Sequence, residues 1–138
     1  MRIMAIDYGD AYTGIAISDP TGFLAGFTTV INAYRPEVVA EQVAALAKEH
    51  GVEELVLGHP INMDGTRGPR SEKAQAMKAL LEETTSLPVV LWDERRTTID
   101  AHQILMNSGK NAKKRKKVVD AVAATLILEG YLTYKKSH

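Results

Sequence analysis

The chain opens on a continuous apolar run, Ile3, Met4, Ala5 and Ile6, that ends in Asp7 and is followed by Gly9. An unbroken run too short for a helix predicts a strand buried on both faces, in the middle of a sheet. Gly9 lets the chain turn sharply at the exit. From Gly14 to Asp19, Ile15 and Ile17 alternate with smaller residues, which reads as the returning arm of a hairpin. Asp19, Pro20, Thr21 and Gly22 have turn composition, and Leu24 to Ile31 offers a third strand with Phe27 and Val30 for packing. Three antiparallel strands are therefore expected first.

The period changes at Pro36. Val39, Val43, Leu46 and Ala47 recur at helical spacing with Glu37, Glu41, Lys48 and Glu49 opposite, and His50 and Gly51 close the helix. Leu55, Val56 and Leu57 form a short buried strand ending in Gly58, His59 and Pro60. A polar loop, 61 to 69, precedes a second helix from about Arg70 to Thr84, with Ala74, Met77, Leu80 and Leu81 as its inner stripe. Pro88 introduces a fifth strand, Val89 to Trp92, which delivers Asp93, Glu94, Arg95 and Arg96 at its end. Strand alternation sends Asp93 and Glu94 to opposite faces, so one of them at most points at a shared site. Thr97 or Thr98 can cap a helix carrying Ile99, Ile104 and Leu105, and Val118 to Leu128 is apolar on nearly every side, the pattern of a helix buried against the sheet.

The order β-β-β-α-β-α-β-α-α predicts an α/β fold: a mixed five-stranded sheet, three antiparallel strands then two parallel ones reached by helical crossovers, with helices on both faces. With 138 residues and no visible repeat or linker, one domain spanning 1–138 is expected. The absence of Cys removes disulfides and thiolate metal sites. The first residues lack a basic segment followed by a long apolar run, so cytoplasm is the expected compartment. Formal net charge is zero, but residues 110 to 117 hold six basic groups and no acid, leaving net −6 on the remainder. Local sign is what a polyanion feels.

Candidate chemistry lies at strand ends. Ligand sites of parallel α/β sheets collect at the carboxyl ends of strands, where Asp7, Gly58 and Glu94 fall, and Asp120 is the one charge inside the last apolar helix before Glu129. Two carboxylates about 4 Å apart repel by roughly 4 kcal/mol at an effective dielectric near 20, so a cluster of three calls for a divalent cation. Mg²⁺ or Mn²⁺ fits such a set, keeping waters and leaving positions for phosphate oxygens. Plainer readings stand beside each of these: Asp7 as a turn cap, Asp120 as a helix N-cap, Glu94 as the partner of Arg95 or Arg96, and the 110 to 117 run as a solubilising loop. His59 and His102 lack partners at ligand spacing and read as structural or surface residues.

Taken together, these stretches resemble the YqgF (RuvX-like) proteins of bacteria, nucleases of ribosomal RNA precursors on a ribonuclease H fold that were earlier grouped with Holliday junction resolvases. The matching residues are Asp7 to Gly9 with Gly14 to Asp19, Gly58 to Pro60 with Asn62 to Thr66, Gly68 to Arg70, Asp93 to Arg95 with Thr97 and Thr98, and Lys116 to Ala124 with Ile127 and Leu128. The resemblance implies that Asp7, Glu94 and Asp120 are a metal-binding catalytic triad. It also implies a cytoplasmic, metal-dependent nuclease acting in maturation of the small-subunit ribosomal RNA. On that basis Arg70, Arg95, Lys113, Lys114, Arg115, Lys116 and Lys117 are the expected phosphate contacts, and Gly9 and Gly58 let the backbone approach the nucleic acid. In one departure, Ala11 and Tyr12 occupy a turn where members often carry a basic residue; Tyr12 is suited to stack on a base instead.

Rival readings keep the residues but change the task. Branched DNA as substrate would call for paired cuts and hence a dimer, whereas the expectation here is a monomer or weak homodimer. A non-catalytic RNA-binding factor would retain the acidic set for structure. An actin-like or sugar-kinase nucleotide fold shares the sheet order but closes two large domains, which 138 residues do not supply.

Overall fold

The computed structural model describes residues 1–21, 25–59, 68–93 and 112–137, and of 69, 70, 93, 112–120, 136 and 137 the backbone alone. The predicted architecture is present. β1 (Arg2–Asp7), β2 (Tyr12–Ser18), β3 (Ala25–Asn32), β4 (Val52–His59) and β5 (Val89–Asp93) form one sheet in the order β3-β2-β1-β4-β5. β2 runs antiparallel to both β1 and β3, and β4 runs parallel to β1 and β5. The apolar opening run is thus the central strand.

Strand alternation divides the core in two. Met4, Ile6, Ile15, Ile17, Leu55, Leu57 and Val89 face α1 (Pro36–His50) and α2 (Pro69–Thr85). Ile3, Ala5, Ala16 and Val56 face α3 (Ala112–Ser137), which contributes Ala124, Ile127, Leu128, Tyr131 and Leu132. Because β1 and β4 are covered on both sides, they read as continuous apolar runs rather than as alternation.

The helices start and stop where local chemistry dictates. Both α1 and α2 carry Pro in the first turn, where its missing N–H is no loss and its φ is preset. Gly51 ends α1 in the left-handed conformation, φ 67°, with its N–H returning to the carbonyls of Ala47 and Lys48. α2 ends at Ser86, also left-handed at φ 59°, where a β-carbon makes that geometry less favourable.

Two expectations change. Phe27 and Val30 do not anchor β3: Phe27 is 39% exposed, its ring 4.6 Å from that of His50, and Ile31 is the buried residue of the strand. β3 is the edge of the sheet, and α1 reaches over only part of it. The basic run does not precede the last helix; Lys113 to Lys117 lie within α3, which begins at Ala112. The helix expected after Thr97 or Thr98 and His102 lie outside the described residues. No helix among those described is long and apolar enough to cross a membrane.

Candidate active site

Asp7 ends the central strand, and odd-numbered positions of β1 face α3, so its carboxylate projects toward that helix. It is only 9% exposed, and among the described residues no hydrogen bond or ion pair reaches it. Its neighbours across the sheet are small. Asp7 pairs with Gly14 of β2, and the parallel register of Ile6 with Leu57 brings Gly58 alongside on β4. Both flanking strand positions are glycine, so neither β2 nor β4 sets a β-carbon beside the Asp7 carboxylate.

Asp120 approaches this end from the helix. Tyr131 Oη donates to Glu54 Oε1 at 2.8 Å and Lys135 Nζ to Glu54 Oε2 at 2.7 Å, and Glu54 is in register with Ile3 at the start of β1. The C-terminal part of α3 is thus anchored beside the start of β1. Eleven helical residues from Tyr131 to Asp120 span roughly 16 Å, and four strand residues from Ile3 to Asp7 span roughly 13 Å. A helix that runs back along β1 would bring the Asp120 turn to the Asp7 end of the sheet. Eight residues of α3 precede it, so Asp120 is not an N-cap.

Glu94 and Arg95 lie outside the described residues. Trp92 of β5 packs with the α3-side core. Arg70 falls in the first turn of α2, and Lys113 to Lys117 in the first turns of α3. Gly9 is required by the turn itself, since a β-carbon there would collide with the Tyr12 carbonyl oxygen. His59 is structural: it is buried, with Nε2 2.6 Å from Ser71 Oγ of α2. Among the described residues no group of three or more His, Asp or Glu side chains is gathered closely enough to hold a metal. Asp7 alone of the expected triad is described to its carboxylate, and that near-buried oxygen donor, unpaired among the described residues, is of the type a hard divalent cation takes.

Sequence reasoning did not single out Lys73. From α2 it reaches the loop after Asp7, its Nζ 3.2 Å from Asp10 Oδ1, and so brings a cation to the turn between β1 and β2. Burial pushes the Tyr8 hydroxyl above the ordinary phenol range; Lys73 opposes the shift, and Asp10 and Glu37 reinforce it. The signal for Lys73 was its place about one turn into a helix that packs beside this strand end.

Comparison with known proteins places this geometry. The model of the family described as "RuvX: Holliday junction resolvase" matches residues 1–134. The chain belongs to the RuvX family. RuvX relatives include two proteins named "Putative pre-16S rRNA nuclease". That of Halothermothrix orenii is 44% identical over 135 residues, 98% of this chain and 96% of that one. That of Bacillus subtilis is 43% identical over 134 residues, 96% of this chain and 97% of that one. Among solved structures, Thermus thermophilus RuvC in complex with Holliday junction substrate superposes with a TM-score of 0.63 at 13% identity, covering 99% of this chain and 96% of that one. At that identity the likeness establishes the fold: this RuvX chain has the RuvC-type α/β architecture.

Proposed function

We propose that the chain is a metal-dependent nuclease that hydrolyses phosphodiester bonds of precursor 16S ribosomal RNA, near its 5′ end. The observation that carries the reading is Asp7: a near-buried carboxylate, unpaired among the described residues, between two glycines at the carboxyl end of the central strand. It occurs in a chain 44% identical, over almost its full length, to a relative named for that activity.

Asp7, Glu94 and Asp120 would hold Mg²⁺ or Mn²⁺, which when bound activates water for in-line displacement and stabilises the leaving oxygen. The chain's own part is to orient the strand. Arg70, Arg95 and the Lys113 to Lys117 segment supply phosphate contacts, and Gly9 and Gly58 keep side chains out of its path. Basic residues at a helix N-terminus oppose the helix dipole, so their concentration there is better explained by a polyanionic partner than by helix stability. A single domain spanning 1–138 carries the activity, in the cytoplasm, as a monomer or weak homodimer.

The test is cleavage of precursor 16S RNA with and without Mn²⁺, wild type against Asp7→Asn. Loss of metal-dependent cleavage in the variant is expected; an Asp7→Asn protein that cuts at the wild-type rate removes the assignment. The family's description favours one second reading, cleavage of branched DNA. Competition between a four-way DNA junction and precursor RNA separates the two.

A further inference from the structure

A groove of about 270 Å³ lies at the same end of the sheet as Asp7 but on the α1 and α2 side. Met77 and Leu80 of α2 floor it, and Tyr8, Tyr34, Asp10 and Lys73 stand around it. Tyr34, in the turn between β3 and α1, is 78% exposed, an aromatic ring presented to solvent at the rim. Tyr8 packs against the α1- and α2-side core from the other side.

We propose that this groove receives one unpaired nucleotide of the RNA strand, next to the phosphate that meets Asp7, with Tyr34 stacking on the base and Lys73 holding the adjoining phosphate. The proposal rests on the nuclease reading for its substrate. Three observations carry it. The groove adjoins the site along the chain: Tyr8 follows Asp7 directly, so their Cα atoms are about 3.8 Å apart, and although the two side chains face opposite sides of the sheet, an RNA strand rounding the end of β1 would meet both. Its chemistry is that of a single-strand platform, an exposed aromatic face over an apolar floor with a cation at the edge. Its cation is available, because the Lys73–Asp10 pair is 59% and 85% exposed at its two side chains and an exposed pair of this kind holds only weakly. Once Lys73 turns to a phosphate, Asp10 is left to accept from a base amino group. A base lodged there is taken out of any duplex stack, so the groove favours unpaired over duplex RNA beside the cut.

The experiment uses a single-stranded oligoribonucleotide with one 2-aminopurine, bound to the full-length protein in EDTA so that metal-dependent cleavage does not interfere. Binding to wild type should quench the probe. Tyr34→Ala should remove the quench and weaken binding about five- to tenfold, the low end of a base-aromatic contact in an open groove. Tyr34→Trp should restore both, and Lys73→Ala should weaken binding while keeping the quench. Duplex RNA should bind Tyr34→Ala and wild type alike. If Tyr34→Ala keeps wild-type affinity and quench while the wild type cleaves precursor RNA, the groove proposal falls and the nuclease reading stands. If Tyr34-dependent quenching appears in a protein that does not cleave, the nuclease reading falls and the groove stands.

Discussion

Gly14 of β2 lies directly opposite Asp7 across the antiparallel pair, on the side of the sheet that faces α3. Opposed positions on one face carry their β-carbons about 4.5–5.5 Å apart, so any side chain at 14 would stand against the Asp7 carboxylate. Gly14→Val should therefore lower metal-dependent cleavage on the order of 10²-fold, the scale of an ångström-sized displacement of a reacting group. The discriminating readout is the rise in Tm on adding Mn²⁺, present in wild type and lost in the variant, with Gly14→Ala intermediate.

The basic start of α3 makes binding and stability move in opposite directions. Replacing Lys113, Lys114, Arg115, Lys116 and Lys117 by Gln should flatten the salt dependence of RNA binding, by about 0.7–0.9 in slope for each phosphate that is no longer neutralised. Thermal stability should hold or rise, since each cation in the first helical turn costs about 0.3–1 kcal/mol. Affinity measured from 50 to 200 mM salt, beside a melting curve, checks both; an unchanged slope assigns the run to solubility.

His59 and Ser71 tie β4 to α2 through a buried 2.6 Å hydrogen bond. Ser71→Ala leaves the imidazole nitrogen without that partner and should cost about 1–3 kcal/mol. Urea unfolding should show a lower midpoint with the slope unchanged.

Tyr131 sets an alkaline limit. Burial, then its hydrogen bond to the Glu54 carboxylate and the charges of Glu54 and Tyr134, push its phenol far above the ordinary value of 10. The folded state thus holds a proton that the unfolded state releases at pH 10. Its contribution is complete below that pH and declines as pH rises above it. Melting temperatures between pH 8 and pH 11 should fall less steeply above pH 10 for Tyr131→Phe than for wild type.

What was legible in the chain was local. The Ile3 to Ile6 run, the Val39, Val43, Leu46 and Ala47 stripe, and the Ala74, Met77, Leu80 and Leu81 stripe each state their own burial: all are buried except Leu46 and Leu80, which are half-buried at the stripe edges. What escaped depends on distant partners. Phe27 has core composition, but its exposure follows from β3 being an edge, a property of the whole sheet. Lys113 to Lys117 look like a break in apolar pattern, yet Lys and Arg are good helix formers and the helix continues through them. Gly14 gains its place beside Asp7 from hairpin register, and Tyr34 joins Tyr8 through the turn into α1. No short window of sequence holds either relationship. Asp7 was marked by its position after an apolar strand, which is why it was visible from the start.

The sheet's central strand is the first element of the chain, and the helix that covers the Asp7 side of it is the last. A ribosome adding about 5–20 residues per second leaves that face of β1 bare for several seconds or more, until α3 has emerged. Whatever chemistry Asp7 performs therefore waits on α3, and a nascent chain stalled before that helix would offer RNA an acidic strand end without its basic helix.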